Sequence, residues 1–185
     1  MAPKYLLFHL NFGDYPTYNI SIKTKNENKY QGGNDMLFKK KEKAPQLLKK
    51  ENIVTGCTAD EKERVIRSVG QMLVRGGYVK PEYVDAMLER ELTFSTNMGN
   101  GIALPHGVEK AKEEVLHSGI AVMVFPKGTD WNGEQVRVVI GIAGKGDDHL
   151  SILANIADKL CDESAVEKVA NMDADGIYQV LMGKE

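Results

Sequence analysis

Cysteine is scarce: the 185 residues hold two, Cys57 and Cys161, far apart and without metal-ligand or dithiol spacing. Isolated cysteines are most often small buried hydrophobes, so neither is assigned a functional role. Long hydrophobic runs are also missing. The longest, near Ile120 to Phe125 and Val136 to Ala143, are too short to cross a bilayer and are interrupted by Gly or Arg. Tyr5 to Leu10 is a weak apolar stretch without a small-residue cleavage site, so no secretory signal is read and a cytoplasmic protein with no direct membrane insertion is expected. There is no P-loop, and carboxylates do not cluster with metal-ligand spacing, so neither a magnesium site nor a cofactor is expected. What remains is ordinary soluble composition, 42% hydrophobic and 27% charged, enough for one domain with a sizeable core plus a tail.

Charge divides the chain. Residues 1 to 50 carry ten Lys and four Asp/Glu, whereas residues 51 to 185 carry fourteen Lys/Arg and twenty-two Asp/Glu. An acidic domain argues against nucleic acid as partner and suits a basic protein met transiently; solubility alone would also account for it. Residues 1–35 are rich in Asn and Tyr and show no persistent period. They are expected to be disordered or a non-native extension, with one strand conceivable at Tyr18 to Ile22. Residues 36–50 read as a basic leader, and 51–185 as the domain proper.

From Asn52 the pattern becomes regular. Ile53-Val54 suggests a short strand. Thr58-Ala59-Asp60-Glu61 has capping-box spacing, and Val65, Ile66, Val69, Met72 and Leu73 then recur at helical steps until Gly76-Gly77. Pro81 opens a second helix, with Tyr83, Val84, Met87 and Leu88 inward, ending near Arg90-Glu91. Gly119 to Phe125 and Val136 to Ala143 are nearly continuous β-branched runs, the pattern of strands covered on both faces. Pro126 to Glu134, with Trp131, reads as an exposed connection between them. A helix with Leu150, Leu153, Ile156, Ala157 and Leu160 on one face follows, then shorter ones through Val166 to Ala170 and Ile177 to Leu181. The fold class is α/β: a mixed, mostly parallel β-sheet flanked by helices on both faces.

One stretch stands apart. Between Glu91 and Gly107 a short apolar run, Ile102 to Leu104, is bounded by Gly99 and Gly101 upstream and Pro105 downstream, leaving His106 at the tip of a stiffly delivered strand. Gly107 is expected to let the chain turn sharply afterwards. A histidine presented this way can serve as a nucleophile or a metal ligand. His149 follows Asp147 and Asp148 at a predicted helix N-terminus, where dipole and free amides favour anions; the dipole disfavours imidazolium and the aspartates favour it. Arg90 could hold phosphate oxygens in a fork, or simply complement a helix C-terminus. Glu91 could orient the Arg90 loop or a ring nitrogen, or cap. His117 has no supporting neighbours and reads as structural or exposed.

The spacing Glu91, Met98-Gly99, then Ile102-Ala103-Leu104-Pro105-His106-Gly107 resembles the phosphorylation-site signature of the mannitol/fructose class of enzyme IIA in the sugar phosphotransferase system. The resemblance covers roughly residues 50 to 183, and Gly76 to Val84 with Ala86 to Glu91 is closest to the mannitol branch. It implies that His106 accepts a phosphoryl group through Nε2 from the histidine-containing phosphocarrier protein. The group would then pass to a cysteine of the enzyme IIB component of a mannitol permease, whose IIC component lies in the membrane. It further implies that His149 is the second active-site histidine and Arg90 the active-site arginine, with Glu91 and Gly107 as binding positions. Two other classes stay open: a regulatory nitrogen-type or fructose-type module acting through phosphorylation-dependent partner binding, and a metal or hydrolytic site using His106 and His149.

Overall fold

The computed structural model describes residues 46–183 and the strands Leu6–His9 (β1) and Asn19–Ile22 (β2). The chain divides into two units, Met1–Ala44 and Pro45–Glu185. In the first, β1 and β2 pair antiparallel, with Leu6 opposite Ile22 and His9 opposite Asn19. The strand conceived at Tyr18 to Ile22 thus corresponds to β2, and β1 was not foreseen; the other expectations for residues 1–35 lie outside the described residues. In the second unit the leader assigned to residues 36–50 ends early: Leu48 is fully buried, and the Leu47 carbonyl accepts from the Ile120 amide. Two leucines among the lysines were enough apolar surface to join the core.

The second unit is a five-stranded sheet. Its strands are Ile53–Val54 (β3), Asn97–Gly99 (β4), Ile102–Ala103 (β5), Gly119–Trp131 (β6) and Glu134–Ala143 (β7), in the order β3-β6-β7-β5-β4. The sheet is mixed: β3–β6 and β5–β7 are parallel, β6–β7 and β4–β5 antiparallel. Helices cover both faces, as the continuous apolar runs imply. On one face lie Lys62–Arg75 (α1) and Tyr83–Thr93 (α2). On the other, Asp148–Lys159 (α3), Glu163–Ala170 (α4) and Ala174–Met182 (α5) pack Ile152, Ile156, Val166, Val169 and Ile177 against Ile120, Val122, Val124, Ile140 and Ile142.

Four details depart from the sequence reading. The supposed connection at Pro126 to Glu134 is a continuation of the hairpin: Trp131 pairs with Glu134 across a two-residue turn in which Asn132 and Gly133 both have positive φ, 59° and 89°. Asn-Gly supplies that mirror-image turn at low steric cost. Trp131 is consequently 1% exposed. α1 begins at Lys62, without the Thr58 cap, because Thr129 Oγ1 accepts from the Asp60 amide and donates to the Asp60 carbonyl, holding that segment extended against β6. α2 starts two residues after Pro81 and runs on to Thr93. In α3, Leu150 is 73% exposed and Ala157 is exposed, and Ile152 takes the inward position.

Gly141 of β7 fixes how closely α1 approaches. A Cβ there would stand 2.8 Å from Val69 Cγ2 and 3.2 Å from Val69 Cγ1, both fully buried. Gly141→Ala is therefore expected to destabilise the domain by about 1–3 kcal/mol through overpacking. Urea denaturation should show a lower midpoint with an unchanged slope.

Candidate active site

β5 is two residues long, and the chain beyond it is held by its neighbours. The Leu104 amide donates to the Thr96 carbonyl at 2.9 Å and the Ile142 amide to the Pro105 carbonyl at 2.9 Å. His106 lies opposite Ile142 in parallel register, so β5 is extended just far enough to bring the imidazole beside the end of β7. The ring is half-buried, and Nδ1 is 2.8 Å from the Leu104 carbonyl oxygen. A carbonyl only accepts, so Nδ1 carries the proton and Nε2 keeps its lone pair.

His149 enters from the other side of the sheet end. It occupies the first turn of α3, and its ring centroid is 5.0 Å from that of His106, the planes inclined by 57°. Gly144 makes this possible, because any Cβ at that position would overlap the His149 Cα. Burial is the main influence on both rings and pushes both below the ordinary imidazole value. For His106 the hydrogen bond to Leu104 opposes this and the Arg90 charge adds to it. For His149 the neighbouring His106 and Lys112 add to burial, while Glu109 opposes. The two aspartates before His149 do not decide its state: Asp148 accepts from the Ser118 hydroxyl at 2.6 Å. Both rings are therefore held neutral.

Arg90, in the last turn of α2, donates through its guanidinium to the Phe94 carbonyl at 2.6 Å and lies 5.6 Å from the Phe94 ring centroid. Its charge reaches both histidines. Among the described residues no group of three His, Cys, Asp or Glu side chains could hold a metal ion, and no helix is long and apolar enough to cross a membrane.

Residues 46–183 match the family described as "Phosphoenolpyruvate-dependent sugar phosphotransferase system, EIIA 2". The chain belongs to this family. It is 49% identical over 128 residues to the mannitol-specific phosphotransferase enzyme IIA component of Halalkalibacterium halodurans, a match covering 69% of this chain and 88% of the relative. Among solved structures it resembles the crystal structure of IIA mannitol from Escherichia coli, with a TM-score of 0.65 and 40% identity, over 70% of this chain and 95% of that one. It also resembles the complex of enzyme IIAMTL with phosphorylated enzyme IIBMTL from Escherichia coli, with a TM-score of 0.69 and 39% identity, over 75% and 100% of the two chains.

Within this EIIA 2 domain His106 and His149 meet and Arg90 acts on both through its charge, and the other two residues singled out from the sequence do something different. Glu91 is 6% exposed, and its carboxylate is bonded within the fold, although its charge still acts on His106, raising its affinity for a proton. One carboxylate oxygen accepts from the Thr96 amide at 2.8 Å and hydroxyl at 2.6 Å; the other accepts from Trp131 Nε1 at 3.0 Å and Ser95 Oγ at 3.2 Å, with Lys62 Nζ at 3.2 Å. It ties the end of α2 to the segment that receives Leu104, so it shapes the loop and touches neither imidazole. Gly107 lines the hollow beside His149, but its amide is donated to the Tyr83 hydroxyl at 2.9 Å. Its lack of a side chain serves packing more than turning: a Cβ would stand 2.6 Å from the Tyr83 ring. Sequence reading missed Lys112, which lines the same hollow with Glu109, and the hydroxyl of Tyr83. Tyr83 fell on an apolar helical stripe, where its ring is indeed core, and nothing in the spacing announced the use of its oxygen.

Burial raises the Glu91 carboxyl, but the Thr96 hydroxyl and amide and the Lys62 ammonium outweigh it and hold the group below the ordinary value. A depressed carboxylate stabilises the fold above its unfolded pKa, about 4.3, and that contribution is lost as pH falls through the folded value. Glu91→Gln should thus lower stability at pH 7 by about 1–3 kcal/mol. The gap between variant and wild type should narrow as thermal melts are taken from pH 5 toward pH 3.

Proposed function

We propose that this chain is a phosphoryl carrier of the phosphoenolpyruvate-dependent sugar phosphotransferase system, taking the phosphoryl group on His106 Nε2 and passing it to a cysteine of a mannitol-type enzyme IIB. The observation that carries the reading is the fixed tautomer of His106, with Nδ1 committed to the Leu104 carbonyl and Nε2 left as the nucleophile 5.0 Å, ring to ring, from a second neutral imidazole. The donor is the histidine-containing phosphocarrier protein. The His106 Nε2 lone pair forms the new N–P bond as the donor's N–P bond breaks, and the donor imidazole leaves with the electron pair. In the second step the cysteine thiolate of IIB forms an S–P bond as the His106 N–P bond breaks.

Little acid–base chemistry is needed for either step; position and charge do the work. His149 donates an N–H to a phosphoryl oxygen, and its neutrality leaves the opposite ring nitrogen free of a competing charge. Arg90 presents a planar fork to the remaining oxygens once it gives up the Phe94 carbonyl. Mannitol as the transported sugar rests on the mannitol-specific relatives and on the likeness to IIA mannitol of Escherichia coli. Nothing at His106 itself reads a sugar.

Incubation with phosphoenolpyruvate, enzyme I and the phosphocarrier protein should add the mass of one phosphoryl group, acid-labile, absent in His106→Ala and discharged on addition of mannitol-type IIB. Phosphorylation without discharge would favour a regulatory module, and no phosphorylation would overturn the reading. Because burial lowers both imidazoles, the midpoint at which the rate of phosphoryl acceptance falls with acid should lie below about 6.5, where an ordinary histidine is half protonated. Rapid-quench measurements with saturating donor check this.

A further inference from the structure

We propose that Tyr83 is a positioning residue for phosphoryl transfer: its hydroxyl is wedged into the end of the β5–β7 ladder and sets the separation between the strand end that carries His106 and the end of β7 that leads to His149. The inference rests on the reading of His106 as the phosphoryl acceptor.

The ladder itself shows the wedge. With His106 opposite Ile142 in parallel register, the Ile142 amide donates to the Pro105 carbonyl, and the next regular bond would run from the Gly107 amide to the Ile142 carbonyl. The Tyr83 oxygen occupies that place instead. It accepts from the Gly107 amide at 2.9 Å and donates to the Ile142 carbonyl at 2.9 Å. A bond of one link is replaced by one of two, so the strand carrying His106 is splayed from β7 immediately after the last direct bond.

The surroundings hold the wedge in place. Tyr83 is 3% exposed at the start of α2, and Gly107 admits its ring at a distance no alanine would tolerate. Burial raises the phenol above its ordinary value, so the hydroxyl keeps its proton and remains a donor to Ile142. Two residues beyond Ile142 comes Gly144, against which the backbone of His149 is packed. The hydroxyl therefore bonds the residue after His106 and, at Ile142, the strand end that leads through Gly144 to His149; both of its bonds are to backbone atoms. Removing it leaves an amide and a carbonyl facing each other across a buried gap, which closes by direct bonding or rearranges; either change moves His106 relative to His149.

The test compares wild type, Tyr83→Phe and Thr129→Val in the intact chain. Thr129 is the control because its buried hydroxyl also bridges a backbone amide and carbonyl, those of Asp60, toward the far end of the β6–β7 hairpin. Tyr83→Phe is expected to reach the same end-point phosphorylation on the same nitrogen, while its maximal transfer rate falls by about tenfold to a hundredfold. Its KM for the phosphorylated donor should change by less than about twofold, because the donor-facing surface is untouched. The imidazole titration midpoints of His106 and His149, followed by ring-nitrogen NMR, should both move from wild type. Thr129→Val should lose comparable thermal stability with rates and midpoints unchanged. Wild-type rate and midpoints in Tyr83→Phe, or an equal loss of rate in Thr129→Val, would remove the wedge and leave the carrier reading intact. A wild-type protein that takes no phosphoryl group would remove both. Should Tyr83→Phe not fold, Gly107→Ala, whose methyl must displace the ring, takes its place, and a wild-type rate there counts against the proposal in the same way.

Discussion

The parallel pairing of β5 with β7 is the contact on which the site depends. It is only two residues long in regular strand, Ile102 with Val138 and Ala103 with Val139, and it sits between an antiparallel hairpin on one side and a bulged edge strand on the other. A pairing that short has little stability of its own and borrows it from the β6–β7 hairpin, whose fully buried face residues anchor β7 against helices on both sides. The benefit is reach. Because parallel strands run the same way, His106 and the loop leading to His149 leave the sheet at the same end, and two residues distant in sequence meet at 5.0 Å between rings.

The polar groups around this edge form two systems with different tasks. Glu91 gathers Thr96, Ser95, Trp131 and Lys62, all donors, onto one buried carboxylate and so fixes the chain segment that caps β5. With this many charge-assisted donors the carboxylate stays ionised despite its burial, and losing one partner would leave others facing an unbalanced charge. The second system is the chain from Gly107 through Tyr83 to Ile142, which is neutral throughout and sets geometry. Separating charge from geometry leaves the histidines free of any carboxylate bonded to their rings.

Much of this was legible in the residues, and what was not has identifiable causes. The strand runs, the two long helices and the Pro105-His106-Gly107 tip follow from apolar period and from proline and glycine. That His149 would face His106 followed from where strands end and helices begin. Trp131 was misplaced because Pro126 and Gly128 look like a loop, whereas they form an irregularity within β6 whose register resumes at Thr129. Thr58 has the letter pattern of a cap, but the distant hydroxyl of Thr129 decides where α1 begins, and no local rule contains that contact. Glu91 and Gly107 were found as members of a pattern, yet their work, a buried carboxylate hub and a space for a tyrosine ring, is tertiary. Leu150, expected inward, lies outward, and Ile152, two residues on, takes the buried position of α3.

On the carrier role proposed for His106, the ring must satisfy opposite demands in its two states, and the groups around it suit both. Before transfer the ring has to be neutral, and half-burial together with the Arg90 charge lowers its affinity for a proton. On that proposal the ring would afterwards carry an anionic group, and positive charge that is repulsive toward imidazolium would become attractive toward the phosphoryl oxygens. On that proposal Arg90 need not change protonation to serve each state; it exchanges the Phe94 carbonyl for the phosphoryl oxygens, and the sign of the ligand changes instead. Burial alone could not do this, since it would penalise the phosphorylated form as strongly as the protonated one. A half-buried imidazole at the end of the sheet, with one nitrogen held by Leu104 and the Arg90 charge acting on the ring, resolves the conflict.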